Sequence, residues 1–226
     1  MGGMKRRIRC GGKPMTAIVL AGGRGNRMRA DKASLDVGGK TLLEHVLGQL
    51  EPLFDEILIS VSPGQAEATT RRSGEAGRRR LKPGAPAASS ADRVRFVEDG
   101  QPGLGPIGGL LAGLKAARNY ACLVVACDIP EIPSPLLCSL ARAAGDVEIA
   151  VAVDPAGHYE PLFAVYKRSI AGAIEALLAR GERSLLPLFK GCRTVVVRFG
   201  EKGGLRNLNT RADYESYLRS IKGGRV

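Results

Sequence analysis

A glycine-rich, basic loop directly follows the first apolar run of the chain. Residues 17–21 are aliphatic and include β-branched side chains, which is typical of a buried strand, and Gly22-Gly23 ends the run. Cations then follow at Arg24, Arg27, Arg29 and Lys32. Glycines let backbone N–H groups approach a ligand closely, and clustered cations repel one another unless they share an anion. The stretch therefore predicts a loop that binds a polyphosphate.

Two common phosphate-binding motifs do not account for this loop. The dinucleotide-binding fingerprint requires a third glycine where Met28 stands. Gly39-Lys40-Thr41 matches the end of a P-loop, but Ser34 occupies the position of the first required glycine. We interpret Thr41 instead as the N-cap of a helix, with Glu44 completing a capping box.

An aspartate follows the most apolar of the later runs. Residues 121–127 are apolar, and Asp128 comes directly after them. In parallel sheets, ligands bind beyond the carboxyl ends of the strands. A carboxylate there suits Mg²⁺, which itself suits nucleotide phosphates, although a strand-end aspartate can also cap a helix or a turn. Because the loop that ends at Lys32 follows another strand of this kind, we favour the metal role for Asp128.

A second acidic site precedes a glycine-rich turn. Glu98-Asp99 ends a short apolar run, and Pro106 is well placed in the first turn of the next helix. The two oxygens of a carboxylate match the N1–H and the exocyclic amine of guanine. Asp99 is therefore a candidate base-binding residue, and the alternative is an aspartate that caps or solvates the turn.

The overall composition limits the class of protein. At 226 residues the chain suits one α/β domain, and it contains no uninterrupted apolar span of membrane length. Its five cysteines match no common zinc-binding spacing. Two of them lie in an apolar strand, which favours a reducing compartment, so we predict a cytoplasmic protein.

The net charge of +12 is concentrated in two segments. Residues 1–14 carry five positive charges, and residues 64–95 carry eight positive and three negative ones, so the remainder is nearly neutral. Both segments are poor in core-forming side chains and in the aromatics that stack on single-stranded nucleic acid. We interpret them as a solvated, loosely attached arm and loop, which argues against nucleic acid as a partner.

Apolar strands alternate with amphipathic helices along the chain, which predicts a three-layer α/β/α sandwich around a mostly parallel, Rossmann-like sheet. We predict one domain over residues 15–222. A basic N-terminal arm over residues 1–14 precedes it, and a basic insertion over residues 64–93 interrupts it. An extended piece is expected at residues 33–37, and Ser134 is expected to cap a helix.

Several motifs in a fixed order resemble those of the molybdenum cofactor guanylyltransferases. They are Leu20-Ala21-Gly22-Gly23 with Arg27-Met28 and Asp31-Lys32, Asp99 with Gly105-Pro106, Cys127-Asp128-x-Pro130, the stretch from Pro161 to Tyr166, and Asn207-x-Asn209-Thr210. The resemblance implies a sheet of the nucleotide-diphosphate-sugar transferase type with a mixed edge. The chain departs from the family at Gly25, Arg29 and Ser62. The family usually has a small residue, often serine, at the first position, a glycine at the second and an asparagine near the third.

The resemblance also implies a reaction, the Mg²⁺-dependent transfer of GMP from GTP to the phosphate of molybdopterin with release of pyrophosphate. It implies catalytic roles for Arg27, Lys32 and Asp128. It implies nucleotide contacts at Leu20, Ala21, Gly22, Gly23, Lys32, Asp99 and Asp128. The metal would be held by Asp128, Asn209 and Asn207, although a capping pair of Thr210 and Asp213 also explains the asparagine segment. His158 and Arg183 are further candidates for contacts with the acceptor or a phosphate.

Other functions remain open at this point. They are a cytidylyltransferase, a guanylyltransferase for a corrinoid or sugar phosphate, and a non-catalytic nucleotide- or RNA-binding protein. Base selectivity separates the first from a guanylyltransferase, and a steeply salt-dependent affinity for RNA would identify the last. Contact with molybdoenzymes or cofactor-delivery proteins also stays open, and no motif identifies molybdopterin by its own chemistry.

Overall fold

The structure is a computed structural model that describes residues 7–22, 32–65, 80–81, 93–200 and 205–223. Within these residues, nine strands lie in one sheet. They are β1 (Arg9–Cys10), β2 (Lys13–Leu20), β3 (Glu56–Val61), β4 (Arg80–Leu81), β5 (Val94–Glu98), β6 (Ala121–Ala126), β7 (Ile149–Val153), β8 (Tyr159–Lys167) and β9 (Thr194–Arg198). Their spatial order is β4-β5-β3-β2-β6-β8-β7-β9, and β1 pairs with β2 outside this path. Strands β4, β5, β3, β2 and β6 are parallel, whereas β8 is antiparallel to β6 and to β7. The mostly parallel sheet with a mixed edge is confirmed.

Helices cover both faces of this sheet. Among the described residues they are α1 (Leu42–Leu50), α2 (Pro106–Ala116), α3 (Ser134–Ala143), α4 (Ala171–Ala179), α5 (Leu188–Gly191) and α6 (Arg211–Gly223). Helices α1 and α3 bury leucines against one face, and α2 and α4 bury theirs against the other. The predicted three-layer sandwich is therefore confirmed. Across the described ranges, every helix is too short or too polar to traverse a bilayer.

The register of the central strands sets the position of the site. Strands β2, β3 and β6 carry almost continuous runs of buried apolar side chains because helices cover both faces. Leu20, at the end of β2, is paired with Ser60 on β3 and with Ala126 on β6. The carboxyl ends of these strands therefore reach the same edge, where Asp128 follows β6 and Asp99 follows β5.

Helices α1 and α6 pack together beside this edge. Thr41 caps α1: its hydroxyl accepts the Glu44 N–H at 3.2 Å, and the Glu44 carboxylate accepts the Thr41 N–H at 2.7 Å, as the predicted capping box requires. Leu208 and Tyr217 share a small apolar cluster with Leu42. This cluster attaches residues 205–209, which precede α6, to the rest of the fold.

Part of the predicted N-terminal arm belongs to the sheet. Strand β2 begins at Lys13, and Cys10 is buried in β1. Ile8 packs against the core and donates its backbone N–H to the Leu53 carbonyl at 2.9 Å. The interpretation of residues 7–14 as loosely attached is therefore wrong, because a few apolar side chains within a short basic stretch suffice to dock a hairpin. The domain boundary at residue 15 stays a prediction.

The charge assigned to a solvated loop is also partly wrong. Arg95 lies in β5 and is fully buried, where it forms an ion pair with Glu56. Glu56 also accepts a hydrogen bond from Thr16 at 2.5 Å, so the buried guanidinium has a prepared carboxylate partner. Residues 66–79 and 82–92 of the predicted insertion lie outside the described residues.

Two local elements differ from expectation. Residues Lys32–Ser34 form a 3₁₀ turn instead of an extended piece, with the Leu35 N–H donated to the Lys32 carbonyl at 3.2 Å. Ser134 is the first residue of α3 and not its cap, since Pro133 holds the N-cap position and no side chain caps the helix. Pro135, in the first turn, has no N–H group, so one fewer donor there needs a cap.

Candidate nucleotide and metal site

Lys32 and Asp128 meet at the carboxyl edge of the sheet. The Nζ of Lys32 donates to Oδ2 of Asp128 at 2.8 Å, although 96 residues separate them. Both side chains are about one-fifth exposed, at 18% and 20%, so the pair is accessible to solvent at the sheet edge. The 3₁₀ turn that begins at Lys32 therefore directs the lysine ammonium toward the carboxylate of Asp128, which follows β6.

Asn209 completes this group. Its Oδ1 accepts a second hydrogen bond from the Lys32 ammonium at 3.2 Å. The neighbouring Leu208 N–H donates to the Asp128 carbonyl at 2.8 Å, which attaches the segment directly to the strand end. Thr210 and Asp213 form the predicted capping pair, with contacts of 3.1 and 2.8 Å, so the cap and the site occupy one segment. We call Lys32, Asp128 and Asn209 the cation end.

Gly22 marks a close approach between β2 and β3. A Cβ at this position would lie 2.8 Å from the backbone nitrogen of Ser62, which is too close for two atoms that are not bonded. The N–H groups of Ala21 and Gly22 both donate to the Ser60 carbonyl, at 2.8 and 3.1 Å. These two residues therefore hold β2 close to β3 at the sheet edge, and their N–H groups are already used within the sheet.

Asp99 lies at the end of β5, two strands away from β2. It is 6% exposed, and its Oδ1 is buried without a hydrogen-bond partner in the described part of the chain. Burial raises the pKa of this carboxyl to about 6, and the negative charge of Glu98 adds to the effect. A buried acceptor without a partner is costly to leave unsatisfied, so it is suited to a ligand that brings N–H donors.

The first turn of α2 packs closely over this region. The hydroxyl of Ser60 is also buried and has no hydrogen-bond partner among the described residues. It lies 2.8 Å from the point where a Cβ on Gly109 would stand, so only glycine allows α2 to approach β3 this closely. We call Asp99, Ser60 and Gly109 the base end.

One acidic residue at the site was not singled out from the sequence. Glu160 lies on β8, and its pKa is sensitive to the side chain of Asn207 and to the charge of Asp128. Burial raises the pKa of Glu160, and the charges of Asp154 and Asp128 raise it further, while the side chain of Asn207 opposes the shift. No local sequence pattern identifies Glu160, because its place depends on the antiparallel pairing of β8 with β6, which composition does not reveal.

Comparisons with known proteins agree with this geometry. Residues 17–194 match the MobA-like NTP transferase domain. The chain belongs to this family. It is 33% identical over 202 residues to a molybdenum cofactor guanylyltransferase of Serratia proteamaculans, and the match covers 88% of this chain and 91% of that protein. The family resemblance seen in the sequence is confirmed, and the chain is a nucleotidyltransferase.

Solved structures share the fold of this MobA-like chain. Molybdopterin-guanine dinucleotide biosynthesis protein A from Archaeoglobus fulgidus has a TM-score of 0.71 at 24% identity, over 92% of this chain and 100% of that one. A Mycobacterium tuberculosis protein in complex with manganese has a TM-score of 0.59 at 19% identity, again over 92% and 100%. Both likenesses concern the fold.

The donors of the cation end fit a divalent cation that is bound together with a substrate. Two oxygens, from Asp128 and Asn209, already converge on one positive charge, the Lys32 ammonium. The described residues contain no group of three or more His, Cys, Asp or Glu side chains that could hold a metal. Mg²⁺ often binds through one or two carboxylates and completes its shell with water and phosphate oxygens, which this sparse set permits.

The structure places the remaining predicted residues as follows. Leu20 is buried at the end of β2. The side chain of Asn207 acts on the pKa of Glu160, and the hydrogen bonds described for Lys32 reach Asp128 and Asn209. Gly23 and Arg27 lie outside the described residues, so their roles stay predictions.

Two weaker candidates are engaged elsewhere. His158 is 78% exposed, and its Nδ1 lies 3.0 Å from Oδ2 of Asp154 in the turn between β7 and β8. Arg183 donates to the Gly103 carbonyl at 2.6 Å, so it holds the glycine-rich turn that follows Asp99. Neither side chain contacts the cation end in this structure.

A separate cavity of about 420 Å³ lies between α2 and α4. Leu104, Leu111 and Leu178 line it, and the ion pair of Lys115 with Glu175 borders it. It includes no member of the cation end or the base end. The residues that line this cavity are therefore different from those of the candidate nucleotide and metal site.

Proposed function

We propose that this chain is a Mg²⁺-dependent molybdenum cofactor guanylyltransferase, which transfers GMP from GTP to the phosphate of molybdopterin. The observation that carries the proposal is the convergence of Lys32, Asp128 and Asn209 at the same sheet edge as Asp99, whose buried Oδ1 has no hydrogen-bond partner in the described part of the chain. Strands β5 and β6 are three strand spacings apart, or roughly 14 Å. This interval leaves room for a nucleotide with its base at Asp99 and its α-phosphate near Lys32.

The reaction needs little covalent chemistry from the protein. A phosphate oxygen of molybdopterin attacks the α-phosphorus of GTP, a new P–O bond forms, and the bond to the bridging oxygen of the β-phosphate breaks to release pyrophosphate. Because the nucleophile is already anionic, no general base is required, and positioning with charge neutralisation suffices. Bound Mg²⁺ would supply Lewis-acid stabilisation of the phosphate oxygens.

Each described residue has a separate task in this scheme. Lys32 now donates to Asp128, and in the complex it would donate to a phosphate oxygen as charge builds up there. Asp128 and the asparagine oxygens would hold the cation, and the manganese complex of a protein with the same fold supports a divalent ion as the cofactor. Arg27 would add charge from the preceding loop.

Asp99 would select the base. In its ionised form it can accept the N1–H and the exocyclic amine of guanine, whereas cytosine offers a different set of donors and acceptors at its pairing edge. Its burial excludes competing water, so a base that does not supply matching N–H donors would bind with a penalty in free energy. The name of the Serratia relative supports guanine as the base and the molybdenum cofactor as the acceptor.

The direct test is to identify the product by mass spectrometry. The purified protein, MgCl₂ and molybdopterin are incubated with GTP or with CTP, and sugar phosphate replaces molybdopterin in a parallel reaction. We expect a guanine dinucleotide of molybdopterin and equimolar pyrophosphate with GTP alone. A cytosine dinucleotide, or transfer only to the sugar phosphate, would replace the proposal with one of the other transferase functions.

Two further expectations stay predictions. The five free thiols agree with a reducing compartment, and cytoplasmic localisation rests on that cysteine usage. Contact with molybdoenzymes or cofactor-delivery proteins would follow from the nature of the product and has no residue assigned to it.

A further inference from the structure

Lys167 is a buried lysine that the proposed mechanism does not use. It is the last residue of β8 and is 7% exposed. Its Nζ donates to Sγ of Cys10 at 3.1 Å and to the Gly145 carbonyl at 3.3 Å, and it lies 5.6 Å from the centre of the Tyr120 ring. A thiol, a carbonyl and a ring carry no net charge. Lysines are rarely buried without an acidic partner, because an ammonium loses much solvation when it leaves water.

A cavity of about 200 Å³ lies beside this ammonium, and Lys167 is part of its wall. Lys13 and Arg118 also line the cavity, and its described lining contains no acidic side chain. Lys13 begins β2 and Ala121 begins β6, so the cavity lies at the amino ends of these parallel strands. The cation end lies beyond their carboxyl ends. The cavity and the nucleotide site therefore occupy opposite edges of the sheet.

The carboxylate that reaches this group of cations is shared with others. Glu56 lies 3.6 Å from Nε of Arg118 and accepts the Arg118 backbone N–H at 2.8 Å. The same carboxylate forms the buried ion pair with Arg95 and accepts from Thr16. One negative charge thus serves two guanidinium groups, and the ammonium of Lys167 has no ion pair within the described ranges. The wall of the cavity therefore carries an excess of positive charge.

We infer that this cavity binds a small oxyanion of the phosphate class. Two of the three N–H donors of the Lys167 ammonium have acceptors in the structure, so one is available for an oxyanion oxygen. The size of the cavity also favours a small ion. A volume of 200 Å³ exceeds the roughly 30 Å³ of one water molecule and is below the roughly 300 Å³ at which pockets for drug-sized ligands begin. It suits one phosphate group and excludes a nucleotide.

The test is a calorimetric titration of the full-length protein with inorganic phosphate, without Mg²⁺ and at constant ionic strength in chloride. Lys167→Met replaces the ammonium with an apolar chain of similar shape, and we expect it to weaken phosphate binding at least about tenfold, as loss of a hydrogen bond from a charged group does. Lys115→Met is the matched control, because this lysine lies on α2 and is paired with Glu175. It should bind phosphate as the wild type does.

Two further variants make the result specific to this cavity. Lys13→Met should weaken phosphate binding about threefold, because an exposed charge contributes less, and this exposed position tests the site even if Lys167→Met does not fold. Lys32→Met removes the lysine of the cation end, so phosphate binding that depends on Lys167 should persist in it. Glycerol 3-phosphate is titrated in parallel. Tighter binding of the free ion would identify inorganic phosphate as the ligand, and tighter binding of the ester would identify a phosphomonoester.

Thermal unfolding gives an independent readout. Without phosphate, Lys167→Met should unfold at the same temperature as the wild type or higher, because it removes a buried charge that has no counter-charge. Phosphate should raise the unfolding temperature of the wild type more than that of Lys167→Met. Equal phosphate affinity in wild type and Lys167→Met, loss of binding in Lys32→Met alone, or a wild type that binds no phosphate would each overturn the inference.

Discussion

The two ends of the proposed nucleotide site are built in opposite ways. At the cation end, Lys32, Asp128 and Asn209 satisfy one another through hydrogen bonds of 2.8 and 3.2 Å. At the base end, Oδ1 of Asp99 and the hydroxyl of Ser60 are buried and have no hydrogen-bond partner in the described part of the chain. The side chains of one end therefore hold one another through hydrogen bonds, whereas the other end keeps two buried polar atoms without partners.

The difference indicates what each end requires from a ligand. The cation end must exchange an internal ion pair for contacts with phosphate and metal, so its residues should act mainly on the rate of transfer. At the base end, Oδ1 of Asp99 and the Ser60 hydroxyl can gain hydrogen bonds without first losing one, so this end should act mainly on nucleotide affinity and selectivity. Mutations at the two ends should therefore separate kcat from binding.

The largest effect is expected at Asp128. Asp128→Asn keeps the size of the side chain and removes the charge that the cation and Lys32 share, so transfer should fall roughly a thousandfold. Pyrophosphate release measures the loss, and unfolding temperature verifies the fold. Asp146→Asn, which changes an exposed aspartate before β7, is the control and should keep full activity. Near-normal transfer by Asp128→Asn with Mg²⁺ would exclude Asp128 from the chemistry.

A smaller but more diagnostic effect is expected at Lys32. Lys32→Met should slow transfer about a hundredfold, because the charge on the phosphates loses a fixed cationic donor. It should also tighten Mn²⁺ binding, because the Asp128 carboxylate is released from the ion pair. Lys115→Met, which removes a surface ion pair on α2, serves as the control. Weaker Mn²⁺ binding in Lys32→Met would show that the lysine supports the metal site and does not compete with it.

The base end should give a dependence on pH. Asp99 has a pKa of about 6, raised by burial and then by Glu98. Guanine needs the ionised carboxylate, so protonation as the pH falls through 6 should remove the acceptor, and GTP affinity should drop about tenfold between pH 7 and pH 5. Calorimetric titration with MgGTP measures this, together with a proton released on binding near pH 6. Asp99→Asn should bind GTP weakly at every pH, and an unchanged pH profile in that variant would assign the titration to another group.

The smallest effect is expected at His158. Its side chain is 78% exposed and paired with Asp154 in a surface turn, and exposed pairs of this kind contribute little. His158→Ala should change the kcat and the KM for molybdopterin by less than about twofold. A large rise in the KM for molybdopterin would contradict this expectation. It would show that the turn between β7 and β8 contacts the acceptor.

Much of this site can be predicted from the sequence because its residues follow strands. Parallel strands align their carboxyl ends, so the order of strands along the chain is enough to place Asp128, Asp99 and the glycine loop at one edge. The capping box of Thr41 and Glu44 is a local pattern that needs only the spacing of two residues. The residue types at these places follow from local rules, and the contacts between them follow from topology.

The remainder depends on long-range pairing. The contact of Lys32 with Asn209 spans 177 residues, and Glu160 lies on β8, which joins the sheet antiparallel to β6. The burial of Arg95 requires a partner, Glu56, on a neighbouring strand. Such pairings leave no periodic signal in the sequence, which is why Glu160 was missed and Arg95 was assigned to a solvated loop.

The most direct test of the two-ended site is a thermal-shift series with GTP, CTP, ATP and UTP, each with and without Mg²⁺. The account predicts a rise in unfolding temperature that is largest for GTP and depends on Mg²⁺, because only this combination occupies both ends. A rise of equal size for CTP, or a GTP effect that is independent of the metal, would contradict it.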